Sequence, residues 1–219
     1  MAKRADAMSE PCRYLHEVLS KLPRFEAGYD LALIPENGVY FLFENGEEGH
    51  GKKRIVRVGT HRSQNGLAKR IKEHLLTPNK DRSIFRKHIG RCLLSRECDP
   101  FLKQWEIDLT TRLAREKFGD QIDLEKLREV EESVSAYMNE KFSFVVLEFN
   151  ERPERLAAER SFIATIARCS GCGPSKDWLG LHHPNPAIKE SGLWNVQGLD
   201  GTPLEARELE MMFGSKRSA

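Results

Sequence analysis

Residues 10–22 place Tyr14, Leu15, Val18, Leu19 and Leu22 at helical spacing ahead of Pro23, which predicts a leading helix packed on a core. From Gly38 the period shortens. Val39, Tyr40, Phe41, Leu42 and Phe43 are β-branched or large apolar residues, a Gly-rich stretch follows from Glu44 to Lys53, and a second run spans Arg54 to Gly59. That pattern predicts a β-hairpin with its turn between Glu44 and Lys53. Leu67, Ala68, Ile71, Leu75 and Leu76 restore helical spacing, with Asn65 as the expected cap. Residues 77–141 read as an all-helical insertion, striped through Phe85, Ile89, Cys92 and Leu93, then Leu102, Trp105 and Leu109, then Leu124, Leu127, Val134 and Tyr137. Phe142 to Phe149 is strand-like, and Arg152 to Arg168 is an amphipathic helix with Pro153 near its start. Ser191 to Val196 is read as a short strand, and residues 214–219 as a disordered tail. The order β-β-α, helical insertion, β-α predicts an α+β fold in one domain over residues 1–213, its core in residues 34–76 and 142–170.

Polar groups interrupt the apolar faces of these elements. Taking about 100° per residue from Leu156, Phe162, Ile163 and Ile166 fall at roughly 240°, 340° and 280°, and Glu159 falls at roughly 300°, inside the buried stripe. Such a carboxylate needs a cation or strong donors. A structural ion pair and a metal both meet that need. On the preceding helix Arg70 and His74 lie on the same side, flanking Leu67 and Ile71. They are placed either to act on one target or to line a solvated edge. Strand alternation groups Val39, Phe41 and Phe43 on one face, and Tyr40 with Leu42 on the other. With Val56 and Val58 sharing a face opposite Arg57, pairing the valine faces across the hairpin brings Tyr40 and Arg57 together.

Composition narrows the class. Hydrophobic residues make up 39% of the 219 and charged residues 31%, the balance of a soluble globular chain. No apolar run reaches bilayer-spanning length, and no apolar signal core follows the charged N-terminus, so the expected location is cytoplasmic. Five cysteines, an odd number, are expected as reduced thiols. The net charge of +2 does not by itself identify a nucleic-acid binder.

Gly38-Val39-Tyr40, then Arg57-Val58-Gly59 one strand later, then Leu67-x-x-Arg70-x-x-x-His74, then Ala-Glu-x-x-x-Ile at Glu159 together resemble the GIY-YIG nuclease family, over residues 34–76 and 142–170. The resemblance implies a three-stranded antiparallel sheet, a DNA substrate and cleavage of its phosphodiester bonds. It implies that Glu159 holds Mg²⁺ or Mn²⁺. Arg70 clamps the phosphate with its planar fork, and His74 orients or relays a proton. Tyr40 serves as general base or positions the water, which asks for a phenol pKa below its ordinary value of about 10. Arg57 stands where the family's second motif carries tyrosine, and would add to the cationic field that lowers it. Asn195, in the SGLWN segment, is taken as the family's late asparagine. The competing reading is a catalytically inactive nucleic-acid-binding module.

Outside the motifs, Lys87 and Arg91 lie opposite the Phe85 stripe with Arg82, Arg86 and Arg96 nearby, and could track a phosphate backbone. Trp178 and Trp194 could stack on bases or seal a core edge. Cys169-Ser-Gly-Cys172, followed by His182 and His183, offers the donors of a Cys₂His₂ zinc site or an ordinary glycine-containing loop. The sequence leaves the oligomeric state open.

Overall fold

The computed structural model describes residues 2–214, with side chains from residue 9 onward. Helix α1 (Ala2–Leu19) precedes strands β1 (Gly38–Gly49) and β2 (Lys52–Gly59) and helix α2 (Leu67–Leu75). Helices α3 (Ile84–Arg96), α4 (Leu102–Trp105), α5 (Arg112–Phe118) and α6 (Leu124–Lys141) follow, then strand β3 (Phe142–Glu148) and helices α7 (Arg152–Ala167), α8 (Pro186–Ser191) and α9 (Ala206–Gly214). The strands make one antiparallel sheet in the order β2-β1-β3. The fold is α+β with the expected three strands. Of the tail, Gly214 closes α9, and residues 215–219 lie outside the described residues.

The hairpin is longer and tighter than its glycine content suggests. Its turn is His50–Gly51, with φ of 55° and 70°, the paired left-handed conformations that join two right-twisted strands in two residues. Gly46, at φ 91°, lies instead in an irregular stretch of β1 between Phe43 and Glu48, because a glycine inside a strand also serves a bulge. A second irregularity matters more. Leu42 pairs with Arg57 but Phe43 pairs with Ile55, so β2 carries one extra residue there. Val56 therefore packs on the same side as Tyr40 and Leu42, while Val58 packs with Phe41 on the other, and the two valines do not share a face as strict alternation requires. Arg57, opposite Leu42, still shares a face with Tyr40.

Each face of the sheet supports its own core. On one side Val39, Phe41, Phe43, Ile55 and Val145 pack against α1, α7 and α9 through Leu15, Leu19, Phe162, Ile166 and Leu209. On the other, Tyr40, Leu42 and Phe144 pack against α2, α3 and α6 and against Trp178 and Trp194. Both sheet edges are covered, which removes the hazard of an open strand. Phe25 exchanges two backbone hydrogen bonds with Phe144 of β3, at 2.8 and 2.9 Å. Along β2, the Trp194 N–H donates to the Val56 carbonyl at 2.8 Å. Residues 191–196, expected as a strand, form none, because beyond that bond a side chain supplies the pairing.

Two local expectations change for the same reason, that tertiary partners outbid local ones. Asn65 does not cap α2: its N–H donates to the Asn37 side-chain oxygen at 2.8 Å, and Gly66 is the N-cap. Trp178 and Trp194, both buried, do not face solvent where bases could stack. Each indole N–H donates to Glu44 Oε2 at 2.9 Å, and the Tyr137 hydroxyl donates to Oε1. Burial pushes the Glu44 carboxyl up while these three donors pull it down. Arg86 is likewise withdrawn from any external phosphate, buried with Glu131 at 2.8 Å.

Glu44→Ala would strand two buried indole N–H donors and the hydroxyl of the half-buried Tyr137. An unmet buried donor costs about 1–3 kcal/mol, so urea unfolding is expected to show a loss of at least ~3 kcal/mol. A loss under ~1 kcal/mol would show that water replaces the carboxylate without difficulty.

His88 and His183 join α3 to the segment after α7, with 2.9 Å between His88 Nδ1 and His183 Nε2. The Asn185 N–H donates to His183 Nδ1 at 2.8 Å, so His183 Nε2 carries the proton and donates to His88. Burial is the main cause holding His88 down to about 2 and His183 to about 4, with the charge of His183 adding at His88 and that of Arg91 at His183. Both values are depressed relative to the unfolded chain, which takes up protons near about pH 6.5 that the native fold refuses. Stability is therefore expected to fall as pH drops from 6.5 toward 5, by up to ~1.4 kcal/mol per pH unit for each histidine. Denaturant titrations of wild type and His88→Gln at several pH values would check this; identical slopes would refute it.

Candidate active site

The residues singled out by their patterns come from four elements. Tyr40 lies near the start of β1 and Arg57 near the end of β2, while Arg70 and His74 project from α2 and Glu159 from α7. Two glycines make the approach of these elements feasible. A Cβ at Gly59 would collide with the Tyr40 hydroxyl and ring, and one at Gly38 would collide with the Leu147 carbonyl of β3. Only hydrogen fits at either place.

Tyr40 and His74 stand with ring centroids 6.1 Å apart. His74 is buried, its Nδ1 hydrogen-bonded to Ser83 Oγ at 2.6 Å and its Nε2 without a partner. Ser83 caps α3 by accepting the Arg86 N–H at 3.2 Å, so the same hydroxyl orients the imidazole. Burial first, then the charges of Arg57, Arg70 and Arg86, hold His74 well below the ordinary histidine range, which keeps it neutral. Arg57 is itself buried. Its Nη1 donates to the Trp194 carbonyl, its guanidinium lies 5.0 Å from the centre of the Phe85 ring, and its Nε is unpartnered.

Glu159 is half-buried, and burial raises its carboxyl above the usual range, opposed by Arg57, the Thr60 backbone N–H, Arg160 and Arg70. Among the described residues it closes no ion pair of its own, and the nearby guanidinium of Arg70 leans on Glu73 at 3.4 Å. Arg70 is held weakly, with 3.4 Å to Glu73 and 3.4 Å to the Arg82 carbonyl, so its donors are free to turn toward an anion. Glu159 and His74 thus both lie within the field of Arg57 and Arg70. Tyr40 stands beside His74, and Arg57 and Arg70 act electrostatically on both His74 and Glu159.

A family profile described as GIY-YIG domain matches residues 6–213. The chain belongs to the GIY-YIG family. The matched range runs across the helical stretch between α2 and β3 as well as the motif-bearing elements. A GIY-YIG domain carries nuclease-type function, with nucleic acid as its substrate class. Comparison with curated proteins and with solved structures gives no significant match. Among the described residues no helix is long and apolar enough to cross a membrane.

Three of the residues singled out from the sequence stand differently. The Asn195 side chain accepts the Val58 N–H at 3.0 Å and donates to the Val58 carbonyl at 2.9 Å. Its amide imitates a neighbouring strand. Lys87 donates to the Glu106 carbonyl at 2.8 Å, and Arg91 grips the Glu106 carboxylate with both prongs at 2.6 Å. These two cations are engaged by one acid and do not form an open phosphate track.

Two residues near this site went unnoticed in the sequence. Arg155, buried with Nε and Nη2 unpartnered, sits one turn before Glu159 at roughly 260° on the same wheel, so the pattern that revealed Glu159 also holds it. His61 is buried and accepts the Gly38 N–H at Nε2, 3.3 Å away, while its Nδ1 donates to the Ser63 carbonyl at 2.6 Å. Its role depends on a loop closing back on β1, and no local period announces that.

Gly59→Ala is expected to push Tyr40 off its seat. Overpacking of this kind costs roughly 1–3 kcal/mol, readable as a lowered urea midpoint. A fully wild-type midpoint would mean that Tyr40 does not depend on the bare glycine.

Proposed function

We propose that this protein is a metal-dependent endonuclease that hydrolyses phosphodiester bonds in DNA, with residues 1–213 as one nuclease domain. The observation that supports this reading is that Glu159, half-buried and without an ion pair among the described residues, lies in the field of the same two guanidiniums, Arg57 and Arg70, that act on the neutral His74 beside Tyr40. A carboxylate raised by burial and left without an ion pair suits a hard divalent cation, which takes few protein ligands and completes its shell with water and phosphate. Glu159 would hold that ion, Mg²⁺ or Mn²⁺. When bound, it supplies Lewis-acid neutralisation of charge on the phosphate oxygens.

The chain's own groups supply the rest. Arg70, mobile enough to leave Glu73, would clamp the non-bridging oxygens, and the buried Arg57 would add a fixed positive field that needs no reorganisation as charge builds. His74, neutral and anchored by Ser83, has an Nε2 without a partner that would orient or relay a proton, and Tyr40 would hold the attacking water. A cavity of about 630 Å³ is lined by Lys80, Arg82, Arg115 and Arg128 and also by Asp81, Glu131 and Glu132, so its charge is mixed and it does not read as a phosphate track.

A second reading, a binding module without catalysis, draws on Arg57 standing at the second motif's tyrosine and being tied to Trp194. The two diverge in one assay. With Mg²⁺ or Mn²⁺, plasmid and branched DNA are expected to be nicked, and Glu159→Ala and Arg70→Ala are each expected to lower the rate at least ~100-fold without unfolding the protein. DNA that binds the wild-type protein but stays intact across the panel would establish the binding module instead.

A further inference from the structure

At the far end of the hairpin, roughly 30 Å along β1 from Tyr40, sits a cluster of soft donors that the nuclease chemistry does not use. Cys12 comes from α1, His50 from the hairpin turn, and Cys169 and Cys172 from the segment that follows α7. The Cys12 thiol stands against the sulfurs of both Cys169 and Cys172. His50 Nε2 lies 3.2 Å from Cys169 Sγ. The donor atoms of Cys12, His50 and Cys172 fall, with that of His16, within 4.8 Å of one another. Zinc–sulfur bonds of about 2.3 Å and zinc–nitrogen bonds of about 2.0 Å put tetrahedral ligands roughly 3.5–3.8 Å apart. Cys12, His50 and Cys172 already stand near that spacing, and Cys169, outside that mutually close group, touches both His50 and Cys12.

We propose that Cys12, His50, Cys169 and Cys172 bind one structural Zn²⁺. His16 is excluded as the fourth ligand by its own hydrogen bonds. Its Nδ1 donates to the Cys12 carbonyl at 2.9 Å, which leaves Nε2 as the lone pair, and that lone pair accepts the Ile55 N–H at 3.2 Å. His16 is a wedge that sets Cys12 and Cys172 in place, 3.6 and 3.5 Å from its ring nitrogens.

The local backbone is built around these donors. His50 takes a left-handed turn position, φ 55°, where asparagine or glycine is the usual choice, and its ring is thereby aimed at Cys169. A Cβ at Gly49 would lie 2.6 Å from Cys172 Sγ, and one at Gly171 would lie 3.2 Å from His50 Cε1. Glycine on both sides keeps the pocket open. The two-residue spacing of Cys169 and Cys172 is that of zinc knuckles, but the remaining ligands come from α1 and the hairpin tip. Of the two histidines expected from sequence proximity, His182 is exposed and His183 is committed to His88. A closed set of three thiolates and one imidazole leaves no open coordination position, so the ion would be structural. It would tie together three segments far apart in the chain and fix the end of α7 whose other turns carry Glu159.

Metal analysis of the full chain, produced with zinc in the medium and purified under reducing conditions, is expected to find about one Zn²⁺ per chain. Cys12→Ser, Cys169→Ser, Cys172→Ser and His50→Ala should each lose it, whereas His16→Ala and Glu159→Ala should retain it. Retention by Glu159→Ala separates this site from the nuclease centre, so either can fail without the other. Should the cysteine variants not fold, Co²⁺ added to metal-stripped wild type would give the visible bands of a tetrahedral thiolate site, and chelation should lower the melting temperature by on the order of 10 °C. Wild type that takes up neither Zn²⁺ nor Co²⁺ would overturn the proposal, as would thiol counts that show a disulfide within the cluster. Zinc lost from His16→Ala but kept by His50→Ala would overturn the ligand set.

Discussion

A guanidinium taken out of water is the constraint around which the open end of the hairpin is organised. Burying Arg57 without compensation would be prohibitive, and the structure meets the demand from several directions. The Trp194 carbonyl accepts from it, the Phe85 ring lies beneath it, and the carboxylate of Glu159 shares its field. Burial keeps His74 neutral, and the same charge adds to it. The return of the C-terminal segment onto β2, through the Trp194 carbonyl, helps to meet the same electrostatic requirement.

Buried polar side chains elsewhere do work that strands and helices do not. Glu44 collects Trp178, Trp194 and Tyr137 on one carboxylate, so the segment after α7 is pinned across the sheet without secondary structure of its own. Asn195 completes the outer edge of β2 with a side-chain amide. Arg54, fully buried, pairs with Glu47 at 2.5 Å and reaches the Gly192 carbonyl. In each case a satisfied polar group specifies a single arrangement where apolar contacts would tolerate several.

The long hairpin also separates two tasks. Its open end carries Tyr40 and Arg57, and its turn adjoins the cysteine and histidine cluster. Both depend on glycines that admit a neighbouring atom where a methyl group would clash, Gly38 and Gly59 at one end and Gly49 and Gly171 at the other. Helix α7 lies along both.

The sequence by itself determined the three sheet strands, the helices that flank them, their order and the family, because period and motif spacing are local properties, and it singled out Tyr40, Arg70, His74 and Glu159 as candidates. It also held Arg155, on the same helical stripe, unread. What it left open were the relations that local pattern does not encode. The bulge that turns Val56 away from Val58 arises from register between two strands, and the capture of Lys87 and Arg91 by Glu106 joins two helices. The meeting of Cys12 and His50 with Cys169 and Cys172 spans most of the chain. Which donors and charges become neighbours is set by closing long loops onto a shared sheet, and only the tertiary structure decides that.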